Sequence, residues 1–140
     1  MIALGSDHGG YELKEAIKAY FTKKNIRFMD YGTDSSESVD YPVFAKKVCK
    51  AVQSGEYRFG ILFCGTGIGM SIVANKHKNI RAAVVSDELS AEMCRRHNNA
   101  NVLCLGGRII DSKKAIELVE IFLSNSFDGG RHEKRVDMYE

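Results

Sequence analysis

Phe59-Gly60-Ile61-Leu62-Phe63-Cys64-Gly65-Thr66-Gly67-Ile68-Gly69-Met70 decides the fold. Its first five residues form a short apolar run, the pattern of a strand buried on both faces. Glycines follow at 65, 67 and 69, and residues 70–76 read as the start of a helix. A buried strand that passes through a glycine turn into a helix is half of a βαβ unit. This reading sets Cys64 at the C-terminal end of a strand, facing a helix N-terminus. Free N–H groups there bind anions and favour thiolate over thiol.

The same alternation extends in both directions. Strands are expected at 1–6, 26–31, 59–64, 81–86 and 101–105, and helices at 11–24, 42–54, 69–76, 87–97 and 112–125. Leu13, Ile17, Tyr20 and Phe21 share one helical face. Pro42, the single proline, suits the first turn of its helix, and Ser86 or Asp87 can cap the fourth. Residues 32–40 read as a polar loop. Strict alternation predicts an α/β fold: one Rossmann-like, doubly wound, three-layer α/β/α sandwich with a five-stranded parallel sheet. The domain is expected to cover residues 1–128, with 129–140 a short charged tail of the same domain.

In such folds ligands bind beyond the C-terminal ends of the strands, at the topological switch point. Asp7-His8-Gly9-Gly10, residues 64–69 and Gly106-Gly107-Arg108 follow strands, and His97 and Asn98 end a helix. The expectation is that they converge on one site. Each has a plainer use: Asp7 as a helix cap, His97 as a complement to a helix dipole, Arg131 and Arg135 as solvated charges. Tyr41 borders the site from the second loop. Tyr20, Phe21, Tyr57 and Phe59 read as core or interface, and His77 and His132 as surface residues.

Composition excludes several functions. A net charge of +2, with basic residues scattered, argues against nucleic acid. No apolar run approaches the roughly 20 residues that span a bilayer. The N-terminus lacks the charged start of a signal peptide, so a cytoplasmic location is expected. Cys49, Cys64, Cys94 and Cys104 form no CxxC pair, which speaks against a zinc knuckle. Cys49 and Cys104 fit the core, Cys94 is ambiguous, and Cys64 alone has a reactive context. The glycines complete neither a G-x-G-x-x-G fingerprint nor a Walker motif, and no arginine follows Cys64 before Arg81.

Together these pieces resemble the ribose-5-phosphate isomerase B family, which includes galactose-6-phosphate isomerases. The matching segments are residues 5–10, Asp40-Tyr41-Pro42, residues 64–69, Arg95-Arg96-His97-Asn98-Asn99-Ala100-Asn101, Leu105-Gly106-Gly107-Arg108 and residues 131–136, in the family's order. The resemblance implies reversible conversion of ribose 5-phosphate to ribulose 5-phosphate through a cis-enediolate, a step of the pentose phosphate pathway. It implies no metal and no cofactor. The partner it implies is a second copy: a homodimer with its sites at the interface, the tail packing there, and a tetramer left open. By the same resemblance Cys64 is the base, His97 opens the sugar ring, Thr66 passes a proton and Asp7 orients hydroxyls or assists opening. Asn98 and Tyr41 border the substrate, and the backbone of Gly65, Gly67, Ile68 and Gly69 faces the developing oxyanion. His8, Arg108, Arg131 and Arg135 bind the phosphate. Some relatives use a glutamate after the loop as base; this chain has none there and carries the cysteine. The alternatives are the same chemistry on a hexose 6-phosphate (allose or galactose), a non-catalytic phosphosugar-binding module, and a redox-sensing thiol protein.

Overall fold

The computed structural model describes residues 1–139, over which strand and helix alternate from Ile2 onward. β1 (Ile2–Ser6) runs through a 3₁₀ turn at His8–Gly10 into α1 (Tyr11–Lys23). There follow β2 (Phe28–Asp30), α2 (Tyr41–Gln53), β3 (Phe59–Cys64), α3 (Ile68–Ala74), β4 (Ala82–Val84), α4 (Glu88–Arg96), β5 (Val102–Gly106), α5 (Ser112–Ser124) and α6 (Arg131–Val136). The strands form one parallel sheet in the order β2-β1-β3-β5-β4.

Crossover handedness decides which helix covers which face. The steps from β1 to β2 and from β4 to β5 run one way across the sheet, and those from β2 to β3 and from β3 to β4 run the other. Right-handed connections therefore put α1 and α4 on one face and α2 and α3 on the other. Side chains of β3 alternate between the two cores. Ile61 and Phe63 pack with Leu13, Ile17, Phe21, Leu118 and Phe122 under α1, α4 and α5. Leu62 and Cys64 pack with Val48, Cys49, Met70 and Ala74 under α2 and α3. Each wholly buried large side chain, such as Phe63, contributes about 2–3 kcal/mol. The winding reverses between β1 and β3, so the switch point lies where those two strands end.

The five strands, their parallel sense and the three layers match the expectation. The outermost strands β2 and β4 are shorter than 26–31 and 81–86: each pairs on one side only, over three residues, and leaves its partner two residues before that partner ends. α3 stops at Ala74, short of the expected 76. The Asn75 side chain turns to clasp Ala82, donating from Nδ2 to the carbonyl at 2.9 Å and accepting from the amide at 2.8 Å. Asp87 caps α4 by accepting from Ser90 N–H at 2.8 Å. Among the described residues no helix is long and apolar enough to cross a membrane.

Candidate active site

Three turns meet at the switch point. After β1, Asp7 is buried; its Oδ1 accepts from Gly10 N–H at 3.1 Å, and its own N–H donates to Phe63 O at 3.2 Å. Asp7 is thus a cap and a neighbour of Cys64 at once. His8 is half-buried, and its Nδ1 accepts from Val39 N–H at 3.2 Å, tying the 32–40 loop to this turn. After β3, Cys64 Sγ accepts from Gly67 N–H at 3.1 Å. After β5, Gly107 N–H donates to Cys64 O at 2.8 Å and Arg108 N–H to Gly65 O at 2.9 Å.

Glycine permits this approach. A Cβ on Gly10 would lie 2.3 Å from the Phe63 carbonyl carbon, and one on Gly107 would lie 2.3 Å from Gly9 O. Real Cβ contacts are never that short, so a side chain at either position would push the turns apart. Gly67 starts α3 at φ 82°, a left-handed value glycine adopts without cost. The exposed Arg108 side chain lies over Gly65, and the Tyr41 ring lies over Gly69. Thr66 is exposed, and its Oγ1 accepts from Ile68 N–H at 3.3 Å. α3 has seven residues, so the contribution of the loop lies in its N–H groups more than in a long helix dipole.

Asp7, His8, Tyr41, Cys64, residues 65–69 and Arg108 therefore gather at the C-terminal edge of the sheet. His97 and Asn98 do not join them within the chain, contrary to the expected convergence, and Arg131 and Arg135 lie with His97 and Asn98. The reason is topological. α4 runs antiparallel to the strands, so its last turn reaches the N-terminal edge, where Gly60 N–H bonds Asn101 O at 3.0 Å. The four residue steps from Val102 to Gly106 alone span about 13 Å.

A second cluster forms at that N-terminal edge. Arg95, buried against Phe59, fixes the turn after α4 by donating to Asn99 Oδ1 at 3.1 Å and to Ala100 O at 2.5 Å. His97 stacks on His132 with ring centroids 4.1 Å apart and planes at 10°. Asp128 donates its N–H to Arg96 O at 2.9 Å, and its carboxylate oxygens accept from Arg96 Nε and Nη2 at 3.2 and 3.3 Å. Asn98 Nδ2 donates to Tyr139 Oη at 3.0 Å. The tail, expected to gain its order from a partner, thus folds back on its own subunit through α6, which presents Arg131 and Arg135 to solvent. His132 was expected at the surface without a partner and instead stacks. Asp128 gave no signal in the sequence. His77, also expected to be unpartnered, bonds Val73 O through Nδ1 at 3.0 Å.

The electrostatics separate the groups further. The Arg96 ion pair holds the Asp128 carboxyl below the usual range. Desolvation, His97 and the two tail arginines hold the His132 imidazole below its ordinary value. Burial pushes the Cys49 thiol up to about 12 and the Cys94 thiol to about 11, and holds Cys104 well above its ordinary value. Cys94, ambiguous in sequence, also donates to Ala91 O and belongs to the core. Among the described residues, His97, Asp128 and His132 are the one group of ligating side chains with donor atoms within 4.8 Å of one another. Arg96 already donates to both Asp128 oxygens, so the group lacks the free carboxylate that a metal ion would take.

A family model described as ribose/galactose isomerase matches residues 2–139. The chain is 46% identical to a ribose-5-phosphate isomerase B of Escherichia coli over 97% of its length and 91% of that protein's. A ribose 5-phosphate isomerase of Thermotoga maritima superposes with a TM-score of 0.95 at 53% identity, covering 97% of this chain and 94% of that one. A ribose-5-phosphate isomerase B of Mycoplasma genitalium, crystallised with bound ribulose 5-phosphate, superposes at 0.93 with 40% identity, over 97% of this chain and 91% of that one.

Proposed function

The chain belongs to the ribose/galactose isomerase family, a family of aldose–ketose isomerases, and on that premise we propose that it interconverts ribose 5-phosphate and ribulose 5-phosphate. The observation that carries this reading is the seat of Cys64: a sulfur at the meeting of three strand-end turns, accepting a backbone N–H, with Asp7, His8 and Arg108 on the adjoining turns.

The chemistry is a pair of proton transfers. Ring opening comes first: His97 gives a proton to the furanose oxygen while Asp7 assists removal of the anomeric hydroxyl proton. The resulting aldehyde presents its C2–H to Cys64. The thiolate takes that proton, and the electron pair moves to O1, giving a cis-enediolate. N–H groups of residues 65–69 stabilise the oxyanion, a type of contact worth about 3–4 kcal/mol when one donor is removed. Thr66 passes a proton between O2 and O1, and Cys64 returns its proton to C1. His8, Arg108, Arg131 and Arg135 hold the phosphate dianion, and Tyr41 and Asn98 border the sugar.

These roles draw on both edges of the sheet, which one chain keeps apart. We assign them to a composite site in which a second copy supplies His97, Asn98, Arg131 and Arg135 to the Cys64 edge of the first. Exposed Ile68 and Ile72, one turn apart on α3, and Val84, at the end of the edge strand β4 beside Gly67, offer an apolar stripe next to the Cys64 edge. A two-fold axis across that stripe exchanges the edges, so each copy completes the other. This is the partner expected from the tail, with the tail acting from its own subunit.

The test is turnover of purified protein on ribose 5-phosphate, allose 6-phosphate and galactose 6-phosphate. Preference for the pentose phosphate is expected. Turnover of a hexose phosphate alone would keep the chemistry and change the substrate. Phosphosugar binding without turnover would make the protein a binding module.

A further inference from the structure

We propose that Asp128, anchored by Arg96, is the positioning residue for His97: it orients that imidazole and favours its protonated form, selecting His97 over the stacked His132 as the proton carrier. The proposal rests on the assignment of ring opening to His97.

Three observations carry it. First, Asp128 is held from two sides by one residue. Its backbone N–H reaches Arg96 O and its carboxylate accepts two guanidinium N–H groups of the same side chain. Arg96 is in turn steadied by Glu92 at 2.7 Å, one turn earlier on α4. Because Arg96 precedes His97 directly, the anchor fixes the carboxylate relative to the ring it serves.

Second, Asp128 Oδ2 lies 3.9 Å from His97 Nε2. That is beyond a hydrogen bond and within reach of a Coulomb interaction, so it responds to the charge on the ring. A small rotation of the ring would bring the two into hydrogen-bond contact. Third, His97 and His132 stack nearly parallel, so a proton on one ring opposes a proton on the other. The charged groups around the pair are Glu92 and Arg96 on α4, Asp128 between α5 and α6, and Arg131 and Arg135 on α6. Asp128 acts on both rings, within 4.8 Å of each, but its 3.9 Å contact is to His97, while the tail arginines bear on His132, whose imidazole lies below its ordinary value. Among the described residues, the carboxylate is thereby placed nearer to the ring assigned to the sugar than a hydrogen-bonding partner on any other element.

The experiment is the pH profile of kcat/KM for ribose 5-phosphate with Asp128→Asn, Asp128→Glu, His132→Phe and His97→Asn. The descending limb reports loss of the proton from the general acid. Removing the carboxylate takes away what favours the protonated ring, so in Asp128→Asn that limb is expected to move to lower pH by about half a unit to one unit. With it, kcat/KM above neutrality should fall roughly three- to tenfold, the same shift expressed at ten per pH unit. Asp128→Glu should restore the limb, and His132→Phe, which keeps a ring against His97, should leave it in place. A limb that does not move in Asp128→Asn, with activity unchanged or lowered equally at every pH, overturns the proposal and leaves the ring-opening assignment standing. A His97→Asn protein that keeps both its activity and the limb overturns both together. Circular dichroism melts of each variant separate a folding defect from either result.

Discussion

The two edges of the sheet are built in opposite ways. At the C-terminal edge the site is made of backbone. Glycine turns after β1, β3 and β5 pack against one another so closely that a Cβ on Gly10 or Gly107 would collide with a carbonyl group. At the N-terminal edge it is made of side chains: a stacked histidine pair, an arginine–aspartate clasp and the charges of α6. The first edge is rigid because its atoms have no room. The second is set by ion pairs and a six-residue helix with no buried residue, and it is the softer of the two. Backbone turns suit an oxyanion that must be met without reorganisation. Side chains suit a phosphate and a sugar that must enter and leave.

The sharpest way to break this comparison is at its sulfur. Cys64→Ala should lower kcat about 10³-fold, the range for loss of a general base. Ribulose 5-phosphate affinity, read by calorimetry, should stay near native. Equal loss of binding would mean that Cys64 shapes the pocket and does not carry the proton.

Gly107→Ala tests the rigidity. Its Cβ would meet Gly9 O at 2.3 Å, so the turn must move. We expect a stability loss of about 2 kcal/mol in urea titration from overpacking. The rate should fall about 10²-fold from displaced catalytic groups. A native rate would show that the turns tolerate movement.

Arg135→Ala tests the softer edge. The residue is exposed, so the melting temperature should hold while KM for ribose 5-phosphate rises roughly tenfold, the worth of one charged hydrogen bond. A fall in kcat with KM unchanged would move the arginine away from the phosphate.

Asp30→Asn is the control beside both edges. Lys14 is wholly buried and its Nζ contacts Asp30 at 2.7 Å, with Lys18 at 2.8 Å from the same oxygen. Burial would raise the Asp30 carboxyl, but the Lys14 and Lys18 hydrogen bonds outweigh it and hold the group below its ordinary value. A depressed carboxyl stabilises the fold above its unfolded value, so this contribution is lost as pH falls below about 4. The variant should lose about 2 kcal/mol at pH 7, because it leaves the buried Lys14 with Glu15 as its one carboxylate partner, at 3.0 Å, and lose little more on acidification. Activity at pH 7 should change least of the series.

Most of the fold could be read from residues in order. The run 59–63 and the helix faces repeat at strand and helix periods, and periodicity is local. The C-terminal edge was readable for the same reason, since its residues sit within a few positions of strand ends. His97 and Asn98 were read as joining that edge because they stand in a segment rich in polar residues. The direction of α4 decides otherwise, and direction is a property of the sheet order. Asp128 and His132 were invisible because their partners lie on α4, more than thirty residues away along the chain.

The central claim is that the two edges act on one substrate across two copies. It is tested by mixing two inactive proteins, Cys64→Ala and His97→Asn, refolding them together from denaturant and measuring turnover of ribose 5-phosphate. In a mixed dimer one site carries both substitutions and the other carries neither. Statistical pairing should therefore restore about a quarter of the native activity. Activity no greater than that of the two variants refolded separately would place both edges' work within one chain and contradict the account.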